Sequence, residues 1–136
     1  MALEKKLLDF NNALQRLKES HTKTIENKTN DTFSFFRDST IQRFEFTLEI
    51  AWKSIKTFLL EEEGIECRSP KSCIREFFAT AHFNEEQIST MLEMVDDRNL
   101  ATHTYHESLA NEIFDAIESY IVIFSLLYAE LSDTTK

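Results

Sequence analysis

The chain has 136 residues with one Gly, one Pro and two Cys, a formal net charge of −9, 42% hydrophobic residues and 12% aromatics. So little Gly and Pro leaves almost no material for tight turns and hairpins, so an all-α protein is expected, and the length predicts one domain over residues 1–136. The acidic balance excludes an extended nucleic-acid footprint built on many Lys and Arg contacts; any RNA contact must be small and local.

Leu3, Leu7, Phe10, Leu14 and Leu17 step by four and three and predict a first helix ending between Lys23 and Asn27. The polar run from Glu26 to Asp31 predicts a loop, with Asp38 or Ser39 capping the second helix. In that helix Ile41, Phe44, Leu48, Ala51, Ile55 and Phe58 keep a 3,4,3,4,3 spacing up to Gly64, a natural left-handed terminator. Ser69-Pro70 reads as an N-cap with proline at the first helical position, opening a short helix that carries Ile74, Phe77, Phe78 and Ala81 inward. Asn84 with Gln87 predicts a capping-box start for a fourth long element, whose stripe of Ile88, Met91 or Leu92, and Val95 continues onto Arg98 and Thr102. A last helix opens between Tyr105 and Glu107. Ala110, Ile113, Ile117, Tyr120, Phe124, Leu127 and Leu131 form its stripe, widened by Phe114, Ile121 and Tyr128, and the tail frays from Ser132. The expected architecture is an antiparallel four-helix up-and-down bundle with one additional short helix. The wide apolar arc of the last helix and the abundance of aromatics point to a symmetric homodimer.

Cys67 and Cys73, six residues apart with no other thiol, match neither a zinc framework nor a disulfide scaffold. With no signal-type apolar run and no segment of membrane-spanning length, the reading is a cytoplasmic protein with no membrane association, no metal site and no cofactor. Glu61-Glu62-Glu63 reads as a solvated helix end, and His21, His82 and His106 read as isolated. No Gly-Ser followed by paired aspartates occurs, so the chain is not itself a nucleotidyltransferase.

The segment Arg98-Asn99-Leu100-Ala101-Thr102-His103-Thr104-Tyr105 carries the most chemistry. A guanidinium fork grips phosphate oxygens, and imidazole exchanges protons near neutrality. The ordinary alternative is a helix-end ion pair of Arg98 with Asp96, Asp97, Glu93 or Glu107, and a His103 favoured by the free carbonyls of a helix C-terminus. Five residues advance a helix by about 500°, so Arg98 and His103 point roughly 140° apart. One chain does not aim both at one phosphate; two chains related by a twofold axis do. Trp52 and Lys53, with Glu49 and Glu45 one and two turns earlier, are candidates for a partner interface. Their plain alternative is packing of Trp52 on a neighbouring helix and a Glu49–Lys53 i,i+4 pair.

The run from Ile41 to Lys53, Ser69-Pro70, and Arg98 to Tyr105, in this order, resembles the nucleotidyltransferase substrate-binding protein family of the HEPN superfamily, over nearly the whole chain. The resemblance implies a helical bundle, a homodimer, and a separate minimal nucleotidyltransferase as partner in a toxin–antitoxin module. It implies that Arg98 and His103, with Asn99, form a composite site that cleaves RNA without a metal, and that Tyr105 is the residue adenylylated (AMPylated) by the partner. The alternative that the family name carries is a non-catalytic subunit that presents substrate to the nucleotidyltransferase. The sequence departs from the family at His106, where an acidic residue is commoner.

Overall fold

Five helices realise these stripes: α1 (Ala2–Glu26), α2 (Phe33–Glu63), α3 (Pro70–Ala79), α4 (Glu85–His103) and α5 (Glu107–Asp133). The computed structural model describes residues 2–80, 82–103 and 106–133. Ala81, named above as an inward residue, and Tyr105 lie outside them.

Cross-helix contacts give the directions. Thr24 meets Thr40 and Thr47 meets the carbonyl of Ala13, so α1 and α2 run antiparallel. Phe10 packs edge-on to Phe124 and Tyr128, while His21 stacks on Phe114, so α5 opposes α1. Arg37 reaches Glu107 and Phe44 stacks on Tyr120, so α2 and α5 run parallel as diagonal members. Arg98 reaches Glu49 and Thr102 reaches Glu45, so α4 opposes α2, and the directions are those of an up-and-down bundle of α1, α2, α4 and α5, with α3 as the short extra helix. Leu7, Phe10, Leu17, Phe44, Leu48, Ile55, Ile117, Phe124 and Leu127 sit in one buried cluster. Each large apolar side chain taken from water there contributes about 1.5–3 kcal/mol.

Several local signals act as read. Gly64 takes φ 67 and its N–H closes on Leu59, ending α2. Ser69 and Ser72 form a reciprocal capping box, as do Asn84 and Gln87. Others do not. The second helix begins at Phe33, five residues before Asp38: Thr32 is the cap residue without a side-chain cap bond, and the Asn30 carboxamide oxygen accepts from the Thr32 N–H at 2.9 Å to turn the chain. Asp38 instead accepts from Arg37. Phe78 is 41% exposed because α3 buries only Cys73, Ile74 and Phe77. The last helix continues through Ser132 and Asp133, where the sequence predicts fraying.

The cysteine reading is overturned: Cys67 and Cys73 are joined in a disulfide, with Cα atoms 5.2 Å apart. The turn after Gly64 brings Cys67 back over the first turn of α3, and both sulfurs are buried. His82 is not isolated either. Its ring stacks on Phe77 at 5.0 Å and meets Phe58 edge-on, with Glu130 3.0 Å and Glu63 3.4 Å from its nitrogens. His106 Nδ1 accepts from the N–H of Leu109 at 3.3 Å and so caps α5, a task an acidic residue would perform in the same way. Among the described residues no helix is long and apolar enough to cross a membrane.

Candidate functional site at the end of α4

The C-terminal turns of α4 lie against the middle of α2, and the side chains between them form a connected polar row. Arg98, about one-third exposed, places Nη2 3.3 Å from Oε2 of Glu49. Glu49 also receives Lys53 at 3.0 Å and the indole N–H of Trp52 at 3.1 Å, and the Lys53 ammonium lies 6.0 Å from the Trp52 ring centre. One turn on, the single hydroxyl hydrogen of Thr102 is shared between Glu45 at 3.2 Å and the carbonyl of Arg98 at 2.9 Å. Partial burial works to raise the Glu49 carboxyl, but Lys53, Trp52 and Arg98 together outweigh it and hold the group below the ordinary glutamate range.

The ordinary alternative from the sequence pairs Arg98 with Asp96, Asp97, Glu93 or Glu107, and three of these four are otherwise engaged. Asp96 pairs with Lys71 at 2.6 Å, Asp97 accepts from the Tyr120 hydroxyl at 2.5 Å, and Glu107 pairs with Arg37 at 2.8 Å. The partner is Glu49, on another helix. Asn99 and His103 are exposed. Because α4 is continuous through both, Arg98 and His103 diverge by roughly 140° within one chain. The structure thus gathers Arg98, Glu45, Glu49, Trp52 and Lys53, and turns His103 away from Arg98.

Below this row, a cavity of about 160 Å³ opens between α2, the end of α4 and the start of α5, with Ile41, Ala101, Leu109 and Ile113 as its apolar lining and Glu45 and His106 among its polar groups. Among the described residues no three His, Cys, Asp or Glu side chains are gathered to hold a metal ion.

Arg37 is absent from the sequence-based candidates. Its side chain is 1% exposed and its guanidinium meets Asp38, Glu107 and Asn111, tying the first turns of α2 and α5 together. Glu107 is the largest influence holding its charge, against the cost of burial. A signal existed, since Arg37 continues the Ile41–Phe44 stripe backwards by four residues, the same argument that singles out Arg98.

This fold has known counterparts. A crystal structure of a protein from Thermus thermophilus superposes with a TM-score of 0.80 at 37% identity, over 90% of this chain and 98% of that one. The tri-AMPylated HEPN toxin of Shewanella oneidensis, solved in complex with MNT antitoxin, shares the fold at 15% identity and a TM-score of 0.77, covering 96% of each chain. The Haemophilus influenzae protein described as having the fold of a substrate binding domain of a nucleotidyltransferase does so at 19% identity and 0.77, over 93% and 98%. Among curated proteins none matches. The family model described as "Nucleotidyltransferase substrate binding protein like" matches residues 5–133, and this chain belongs to that family.

Proposed function

We propose that this protein is the HEPN-type partner subunit of a separate minimal nucleotidyltransferase in a toxin–antitoxin-like pair, and that it acts as a homodimer whose paired α4 ends cleave RNA. The observation that carries the reading is the held Arg98 at the end of α4, five residues before an exposed His103. Across a twofold axis Arg98 of one subunit faces His103 of the other. His103 takes the proton of a ribose 2′-OH or returns one to the leaving 5′-oxygen, Arg98 stabilises the charge that builds on the phosphorane, and Asn99 orients one of the two. This chemistry needs no metal and no cofactor. Tyr105, two residues from His103, is the acceptor for AMP; the adduct puts a bulky anion in the cleft and silences it.

A second reading, a non-catalytic subunit that presents substrate to the nucleotidyltransferase, is favoured by one observation. Glu49 already neutralises Arg98 within the chain, and a phosphate must displace it on a protein of net charge −9. Expression alone and with the partner nucleotidyltransferase separates the two. Growth arrest relieved by the partner, with intact mass showing AMP on Tyr105 and no arrest from His103→Ala, supports the nuclease; indifference in every arm supports the presenting subunit.

A further inference from the structure

A second seam runs along the outer side of α2. Phe35, Ser39, Gln42, Phe46, Glu49, Lys53, Lys56 and Leu60 step by 4,3,4,3,4,3,4, the spacing of a helix–helix contact, yet all except Glu49 are exposed. Phe35 is 76%, Phe46 59% and Leu60 52% exposed, three large apolar side chains on one line ~38 Å long. Among the described residues no helix of the same chain covers them.

We infer that this seam is the dimer surface, and that its occupant is the same seam of a second copy, packed antiparallel about a twofold axis level with the Thr47–Leu48 peptide. What carries this register is the chemistry of the residues that then face one another. Turned end for end, Phe35 meets Leu60, Ser39 meets Lys56, Gln42 meets Lys53 and Phe46 meets Glu49. Each residue of one heptad class faces the other class, as an antiparallel pair requires. Lys53 and Lys56 face the polar Gln42 and Ser39, and Lys56 comes within one residue of Asp38 of the other copy. Phe46 and its counterpart stand about one turn apart beside the axis, where an aromatic anchor counts most.

This inference rests on the homodimer reading above and gives that dimer a place. A twofold axis perpendicular to the plane of the two α2 helices brings α4 beside α4. Within one chain Arg98 is held level with Glu49 and Thr102 level with Glu45, on either side of the axis. The partner's Arg98 therefore arrives level with Phe46, within a turn of Thr102 and His103.

Sedimentation of the wild type and Phe46→Glu tests it. The wild type is expected at twice the mass of one chain, and Phe46→Glu, with unchanged helicity, as monomer, its dissociation constant raised at least about 100-fold by two charges placed at the seam. Leu126→Glu, at an exposed α5 site, is expected to remain dimeric. Should Phe46→Glu misfold, the double variant Gln42→Cys with Lys53→Cys serves instead, since oxidation links the copies only in this register. A dimer that survives Phe46→Glu, an absent Gln42→Cys/Lys53→Cys link, or a dimer broken by Leu126→Glu overturns the surface while leaving the composite site open to another interface. A monomeric wild type overturns both. An α2-paired dimer without RNA cleavage upholds the surface and removes the nuclease.

Discussion

Glu49 of α2 and Arg98 of α4 meet at 3.3 Å, joining the end of α4 to the middle of α2. Because Lys53, Trp52 and Arg98 hold the Glu49 carboxyl low against its partial burial, the ionised form stabilises the fold. A group whose folded pKa is depressed contributes above its unfolded value, near pH 4, and loses that contribution as pH falls through the folded value. Glu49→Gln is therefore expected to be less stable than the wild type at pH 7, by under ~1 kcal/mol for partly exposed pairs, with the difference vanishing near pH 2–3. Urea unfolding at several pH values checks this, and a gap independent of pH would contradict it.

Arg37 makes a larger contribution because its side chain is almost wholly buried. Arg37→Met keeps much of the stem but loses the bonds to Asp38 and Asn111, and is expected to cost about 2 kcal/mol. Glu107→Gln should cost distinctly less, since its carboxamide oxygen still accepts from Arg37 and Asp38 still balances the guanidinium charge. Chemical denaturation of the two variants side by side gives the order.

Asp97 behaves in the opposite sense to Glu49. Burial pushes its carboxyl up, against the lowering effect of the Tyr120 hydroxyl, and Asp96 and Glu112 add to the rise. A raised folded pKa gives stability below the ordinary aspartate value near pH 4 that is lost as pH rises through the folded value, so ionised Asp97 weakens the fold at neutrality. Asp97→Asn still accepts from Tyr120 and should melt higher than the wild type at pH 7 and equally near pH 3. Tyr120→Phe, which strands the carboxylate, should melt lower at pH 7, with a loss of about 1–2 kcal/mol in stability. Thermal scans across pH decide the signs.

The Cys67–Cys73 bridge closes a short loop, for which chain entropy predicts a contribution of about 2 kcal/mol. Reduction, or Cys67→Ser with Cys73→Ser, should lower the melting temperature by several degrees without loss of helicity. Intact mass before and after reduction measures the bridge directly.

The helices were legible because each buries one stripe, and a stripe is written locally at intervals of three and four. The start of α2 was not, since its turn is made by Asn30 acting on a neighbour's backbone, whereas Asp38 and Ser39 have the residue types of a cap without its position. The disulfide depends on how Gly64 and Ser69 bend the chain between two helices, and six-residue spacing alone does not reveal it. The partner of Arg98 sits on another helix, so the periodicity finds the cation and its inward position but not Glu49. Arg37 carries the same inward signal as Arg98 without a motif around it.

The composite site is tested most directly by mixing two inactive variants. Arg98→Ala and His103→Ala each leave no intact site in a homodimer, but a mixed dimer has one site with both residues native. After subunit exchange, RNA cleavage is expected to return to about one quarter of the wild-type rate, half the dimers being mixed and each holding one of two sites. Mixed dimers that form, by mass, and cleave no RNA would contradict the shared Arg98–His103 site.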